Sequence, residues 1–320
     1  MTGDRPGRAD PHIHTLASDG VDGVLAILEH VEERTSLDVI GIADHERVDA
    51  ALALRAIARA RGSRVDVIVG EEVTTRSGHL LALFLEERVP PMRSLRETVA
   101  RVHDQGGIAI AAHPLTPYPL CIGERAIRRL ADEPDPRHRL DGIEAFNPTT
   151  FGRVRHAAVG RLADELGMPV IGSSDAHEAR SIGAGVTLFP GRTAGDLRAA
   201  ILAGETRWAG TFHGSASQLP TFVRQLRKYG RGWRDGAVGL ARGRTTGRDL
   251  GYPGGRSRPP RLDLSGVPGA GPPHLGAEPA HLGAEPAPPG DAPLHPGTAR
   301  PDDAGGRGSP SDGWDDGAAR

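Results

Sequence analysis

Five short polar clusters each sit where an apolar run ends: His12-Ile13-His14 with Ser18-Asp19-Gly20, Asp44-His45, Glu71-Glu72, His113-Pro114, and Asp175-Ala176-His177. Imidazoles and carboxylates are the metal-binding side chains of enzymes. A chain that sets them after one strand after another builds a single site at one rim of a sheet or barrel. The pattern implies metal-assisted hydrolysis.

The first 210 or so residues alternate strand and helix signals. Strand-like runs are Ala9 to His14, Leu37 to Ala43, Val65 to Val69, His79 to Leu85, Ile108 to Ala112, Gly142 to Phe146, Val170 to Gly172 and Gly185 to Phe189. Helix-like runs fall between them at Val24 to Arg34, Ala50 to Arg61, Ser94 to Gln105, Arg153 to Leu166 and Ala194 to Ala203. Such alternation gives an α/β fold, either a mostly parallel sheet or a closed barrel, with its site at the carboxyl ends of the strands.

Each cluster also has a plainer reading. His12 and His14 share one face of a strand, and a buried pair of neutral histidines with no role is costly unless both are hydrogen-bonded. Asp19-Gly20 alone reads as a turn, yet it follows His14 by five residues. Asp44-His45 could merely cap the next helix, but one of the pair is expected to bind metal, and the imidazole is the stronger candidate. Glu71 and Glu72 point to opposite sides of a strand end, so only one faces the site. His79 divides evenly between ligand and strand-edge residue. Pro114 holds His113 in extended geometry at a strand tip, and Asp175 and His177 again share a face. His103 is read as a helix-dipole partner, His30 and His156 as solvent-facing, and Cys121 as a small buried apolar residue or, as the alternative, one lining the pocket rim.

Composition bounds the rest. The formal net charge is -2, so no long-range field selects nucleic acid or an anionic membrane. A single cysteine, Cys121, excludes an intrachain disulfide. No run of eighteen apolar residues occurs, and Met1 to Asp10 lacks a signal-peptide core, so a cytoplasmic protein with no membrane partner is expected. Residues 231–320 hold 20 glycines and 14 prolines, above the roughly 25–30% typical of low-complexity chain, and are expected to form a disordered tail of unassigned partner. Residues 1–8 are expected to be flexible, 9–214 to form the folded domain, and 215–230 a short basic amphipathic helix.

The series His12-Ile13-His14…Ser18-Asp19-Gly20, Asp44-His45, Gly70-Glu71-Glu72-Val73, Ala111-Ala112-His113-Pro114 and Gly172-Ser173-Ser174-Asp175-Ala176-His177 resembles the PHP (polymerase and histidinol phosphatase) family of metal-dependent phosphoesterases. Its stand-alone nucleotidase and exonuclease branch is the most similar. The resemblance implies a distorted seven-stranded (βα) barrel with two or three divalent ions, manganese, zinc or iron. It places ligands at His12, His14, Asp19, His45, Glu72, His79, His113, Asp175 and His177. One metal would take His12, His14, Glu72 and Asp175, a second Glu72, His79 and His113, and a third Asp19, His45 and His177. Glu72, Asp175 and His177 are then the catalytic residues, and Asn147, Arg153 and Arg180 the candidate phosphate binders.

Two cations about 3.5–4 Å apart make water nucleophilic near neutral pH and neutralise the attacked and leaving oxygens of a phosphoester. The implied activity is hydrolysis of phosphomonoesters, nucleotides or nucleic-acid ends. Two alternatives are an amidohydrolase-like C–N hydrolase, which usually needs a metal-bridging lysine, and a non-catalytic metal-binding scaffold, which would lack ligands. The chain's lysine, Lys228, lies outside the expected barrel, and all nine ligand positions are filled.

Overall fold

The protein is seen in a computed structural model that describes residues 5–116 and 121–212. The expected helix at 215–230 and tail at 231–320 lie outside the described residues.

Among the described residues nine strands and six α-helices follow in the order β1 (Gly7–Ile13), α1 (Val24–Arg34), β2 (Val39–Ile42), α2 (Asp49–Arg61), β3 (Asp66–Thr75), β4 (Gly78–Leu83), α3 (Leu95–Asp104), β5 (Ile108–Ala111), α4 (Glu124–Ala131), β6 (Gly142–Phe146), α5 (Thr150–Leu166), β7 (Val170–Gly172), β8 (Gly185–Phe189), α6 (Ala194–Ala203) and β9 (Arg207–Gly210). One sheet holds them in the order β7-β6-β5-β4-β3-β2-β1-β8-β9. The expected seven strands are therefore nine. β1 to β7 bend into a ring that closes where Ile13 bridges Ala176 in parallel and His14 N–H donates to the Ala176 carbonyl at 2.9 Å. β8 and β9 are the addition: β8 runs antiparallel to β1, and β9 returns through α6 to pair antiparallel with β8. The Thr187 hydroxyl of β8 donates to the Gly172 carbonyl of β7 at 2.8 Å and ties this strand pair across the seam.

The sheet is mixed rather than mostly parallel. β1–β2, β2–β3, β5–β6 and β6–β7 are parallel, whereas β3–β4 and β4–β5 are antiparallel. The cause is a tight turn after Thr75 that reverses the chain directly from β3 into β4, with no crossover helix. Strand residues alternate between two apolar layers. Ile40, Ile42, Val67 and Val69 pack under the helices with Leu28, Leu54 and Val99. Ala9, Val39, Ile68 and Ile108, near the amino ends of β1, β2, β3 and β5, pack with Leu197, Ala200 and Ile201 of α6. That helix plugs the end of the ring away from the strand carboxyl ends.

β1 starts at Gly7, two residues before the alternation predicts, and residues 5–8 are tied down. The Arg5 guanidinium forks onto both Asp38 oxygens at 2.8 Å, and Arg8 N–H donates to the same carboxylate at 3.0 Å. No helix among the described residues is long and apolar enough to cross a membrane.

Candidate metal centre

The polar clusters reach one rim by different routes. His12 and His14 lie on one face of the end of β1, and Ile13 turns outward into the layer under the helices. His45 follows β2 and bridges Glu72 of β3 in parallel. β4 runs in the opposite sense, so the residue that begins it, His79, arrives at the same rim. In the hairpin register His79 pairs with Thr74 and Leu81 with Glu72, which puts His79 and Glu72 on one face. His113 follows β5, and Asp175 and His177 follow β7. His113 is not in the extended geometry expected before Pro114: it and Asp175 have φ of 26° and 50°, a left-handed conformation that costs non-glycine residues free energy and persists where surroundings over-determine it.

Glu72 sits at the centre of the shell. Its Oε2 lies 3.3 Å from His12 Nε2, 3.2 Å from His14 Nε2 and 3.4 Å from His45 Nε2. Its Oε1 lies 2.7 Å from His79 Nδ1 and 2.8 Å from His113 Nε2. Asp175 Oδ1 is 3.3 Å from His14 Nε2 and 3.8 Å from His12 Nε2. Asp19 reaches His177 Nε2 at 3.0 Å and His45 Nε2 at 3.7 Å through Oδ2, and His14 Nδ1 at 3.4 Å through Oδ1. The structure thus brings together all nine residues singled out in the sequence.

The donor set fits a metal. Ligand atoms about 2.1 Å from a tetrahedral ion lie roughly 3.4 Å apart, and the contacts around His12, His14, Asp175 and Glu72 Oε2 run from 3.2 to 3.8 Å. The two Nε2 atoms of His12 and His14 face each other at 3.2 Å, an arrangement of lone pairs that a cation satisfies better than one shared proton. Three sets of ligand atoms lie within 4.8 Å of one another: His14, Asp19, His45 and His177; His12, His14 and Asp175; and His45, Glu72 and His79. His45 therefore stands between two subsites, not in the third alone.

Electrostatics follow the crowding. Burial disfavours charge on His12, but Asp175, Glu144 and Glu72 outweigh it and push the imidazole up to about 10. Burial, with His14 and His79 nearby, takes His45 down to about 4 in spite of Glu72 and Asp19. Glu72 is held well below the carboxylate range against burial, by His79, His45 and His12.

The remaining candidates separate. Asn147 is at the site, its amide donating to Asp175 Oδ2 at 3.2 Å. Arg153 is not brought to it; its guanidinium lies 5.7 Å from the Phe212 ring centroid. Arg180 is 64% exposed and pairs with Glu178 at 2.8 Å. Asp44 accepts from the Thr15 amide at 2.7 Å, the Thr15 hydroxyl at 2.6 Å and the Ser18 hydroxyl, so it shapes the loop that delivers Asp19. Glu71 accepts from Val89 N–H at 2.7 Å, and burial pushes it up to about 8.

Two polar residues escaped the sequence reading. Glu144 of β6 is 2% exposed and accepts from His12 Nδ1 at 3.0 Å. Asp10 is fully buried and accepts from Ser174 N–H at 2.9 Å and Gly183 N–H at 2.8 Å, which fastens β1 to the segment bearing Asp175. An acidic residue inside an apolar strand run was the available signal for both, because a buried carboxylate must be paired. Cys121 is no apolar filler, since its Sγ lies 3.4 Å from His113 Nδ1. His156 is half-buried, with Nδ1 2.9 Å from the Ala145 carbonyl.

A PHP-associated family model matches residues 155–206, the stretch that carries Asp175 and His177. The MJ1587 protein of Methanocaldococcus jannaschii is 32% identical over 171 residues, spanning 50% of this chain and 93% of that protein. The chain belongs to the PHP family. Among solved structures, PsfC from Pseudomonas syringae is 18% identical with a TM-score of 0.51, covering 70% of this chain and 99% of its own. A two-domain protein of Bacteroides vulgatus containing a predicted PHP-like metal-dependent phosphoesterase is 19% identical with a TM-score of 0.50, covering 70% and 71%. At such identities the two structures attest the PHP fold alone.

Proposed function

We propose that this PHP protein is a metal-dependent phosphoesterase acting on phosphomonoesters or on nucleotide and oligonucleotide phosphoesters. The observation that carries the reading is Glu72, one carboxylate whose two oxygens face two separate sets of imidazoles. Divalent cations bound there, manganese, zinc or iron, would acidify water and neutralise charge on the phosphoryl oxygens. The protein's own part is placement. Asp175, His113 and His177 are the more open members of the shell, at 12–15% side-chain exposure, and so mark where an ester enters. Asp175, whose Oδ1 lies 3.3 Å from His14 Nε2, is the carboxylate placed at this open side to accept the proton of the attacking water. Asn147 holds that carboxylate by its other oxygen. His177 is oriented by the Asp175 carbonyl, 2.9 Å from its Nδ1.

The test is a screen of the manganese-loaded protein against phosphorylated metabolites and short oligonucleotides. Hydrolysis that chelation abolishes and metal restores is expected. Full activity in persistent chelator, with metal absent by elemental analysis, refutes the reading. A C–N hydrolase would instead release amine without phosphate. Glu72 standing at the bridging position, with the chain's lysine at 228, favours the phosphoesterase.

A further inference from the structure

Glu144 belongs to none of the nine converging positions, yet its carboxylate reaches two of them and two further residues beside the centre. Its Oε1 accepts from His12 Nδ1 at 3.0 Å and from the Ser173 hydroxyl. Its Oε2 accepts from His113 N–H at 2.5 Å and is 3.4 Å from Asn147 Nδ2, the same amide that donates to Asp175 Oδ2. The two protein groups held by opposite ends of this carboxylate serve different subsites. His12 faces His14, Asp175 and Glu72 Oε2, whereas His113 faces Glu72 Oε1.

Both ends matter to ligation. A proton on His12 Nδ1, donated to Glu144, leaves Nε2 bare toward Glu72 and Asp175, and the carboxylate thereby sets the tautomer a metal needs. The bond to His113 N–H anchors a residue whose φ of 26° is otherwise unfavourable, and so aims its Nε2 at Glu72.

We infer that Glu144 is a positioning residue that couples the two metal subsites sharing Glu72, so that ordering of one favours filling of the other. The inference rests on the reading of this shell as a metal centre. Substitution by glutamine exposes the coupling, because an amide keeps the volume but has only one acceptor oxygen. Its NH2 must face either His113 N–H, donor against donor, or His12 Nδ1, which forces the imidazole proton onto Nε2. In either orientation one subsite is damaged and the other keeps its bond.

The experiment titrates metal-free protein with manganese and with cobalt, by calorimetry, elemental analysis and cobalt absorption. Wild-type protein is expected to fill the two subsites over one concentration range. Glu144→Gln is expected to bind one ion with near wild-type affinity and the other roughly 10–100-fold more weakly, with an altered cobalt spectrum. Glu144→Asp, too short to span both partners but still charged, should fall between the two. Identical affinities and spectra in wild type and Glu144→Gln overturn the inference, as does equal weakening at both subsites, which signals general loosening. If Glu144→Gln does not fold, Glu144→Asp replaces it. Filling of the two subsites over separate concentration ranges supports the coupling, and filling over one range as in wild type overturns it. Wild-type protein that binds no divalent ion overturns the metal-centre reading itself, a result distinct from binding that Glu144→Gln leaves untouched.

Discussion

Glu72 meets five imidazoles through its two oxygens, while Glu71, one residue earlier, is spent on the amide of Val89. Strand alternation makes the difference, and it yields a sharp contrast. Glu72→Gln is expected to lose at least one bound ion per chain and most turnover, whereas Glu71→Gln keeps its metal; elemental analysis of the two proteins decides, and the reverse ranking would show that the wrong carboxylate was assigned. A second residue-scale effect lies away from the centre. His103 bonds Asp141 at 2.7 Å and the Arg137 carbonyl at 2.8 Å, so it joins the end of α3 to the start of β6 and is more than a partner of the helix dipole. Burial opposes its charge, but the Asp141 hydrogen bond and carboxylate raise it above the usual histidine range. A raised folded value means that the stabilisation is fully present below the unfolded value near 6.5 and is lost as pH rises through the folded one. His103→Gln should therefore cost on the order of 1–3 kcal/mol at pH 5.5 and markedly less at pH 9.5, read by urea denaturation. Most of the nine converging positions were legible from the sequence because they sit at the end of an apolar run, whereas His79 opens one and Asp19 lies in a turn. Glu144 was not, because a charge in mid-strand reveals nothing of its partners until His12 and His113 are seen beside it.

Helices and strands were legible where local pattern alone decides them. α1 and α6 match their expected bounds, and α6 carries a capping box between Thr193 and Asp196. α4 was missed because it has eight residues and only Ile127 and Leu130 are buried. β9 was missed because Arg207-Trp208-Ala209-Gly210 has little strand character of its own and is held by pairing with β8. The β3–β4 hairpin is the most consequential difference. Glu71-Glu72 reads as a strand end, yet β3 continues to Thr75, and the reversal that follows is what delivers His79. Gly78 makes that reversal possible with φ of 126°, and a Cβ there would lie 2.4 Å from the Ile122 amide and 2.5 Å from the Cys121 carbonyl carbon. Gly78→Ala should destabilise the fold by about 1–3 kcal/mol from backbone strain alone, with the clash adding to it. Because the displaced segment carries His79 on one side and presses Cys121, the neighbour of His113, on the other, bound metal should fall as well. Unchanged melting temperature and metal content in that variant would contradict the hairpin as described.

At the scale of the whole molecule, periodicity implies an α/β fold, but closure of the ring is a matter of contacts far apart in sequence. Ile13 meets Ala176 and Asp10 meets Ser174 and Gly183, pairs that no local pattern announces. Those contacts are complete within residues 5–212, and so are the nine converging side chains, the α6 plug and both apolar layers. Residues 231–320, by contrast, have 34 glycines and prolines in 90 positions, too little apolar surface to offset an ordering cost of roughly 1–2 kcal/mol per residue. We propose on that ground that they add neither core nor ligands. A chain ending at Gly230 should keep the melting temperature, the metal stoichiometry and the turnover of the full-length protein on a small phosphomonoester, whatever happens to solubility or to binding of a macromolecular partner. Loss of metal or collapse of turnover on truncation would mean that the removed segment completes the site, since every candidate ligand named above would still be present.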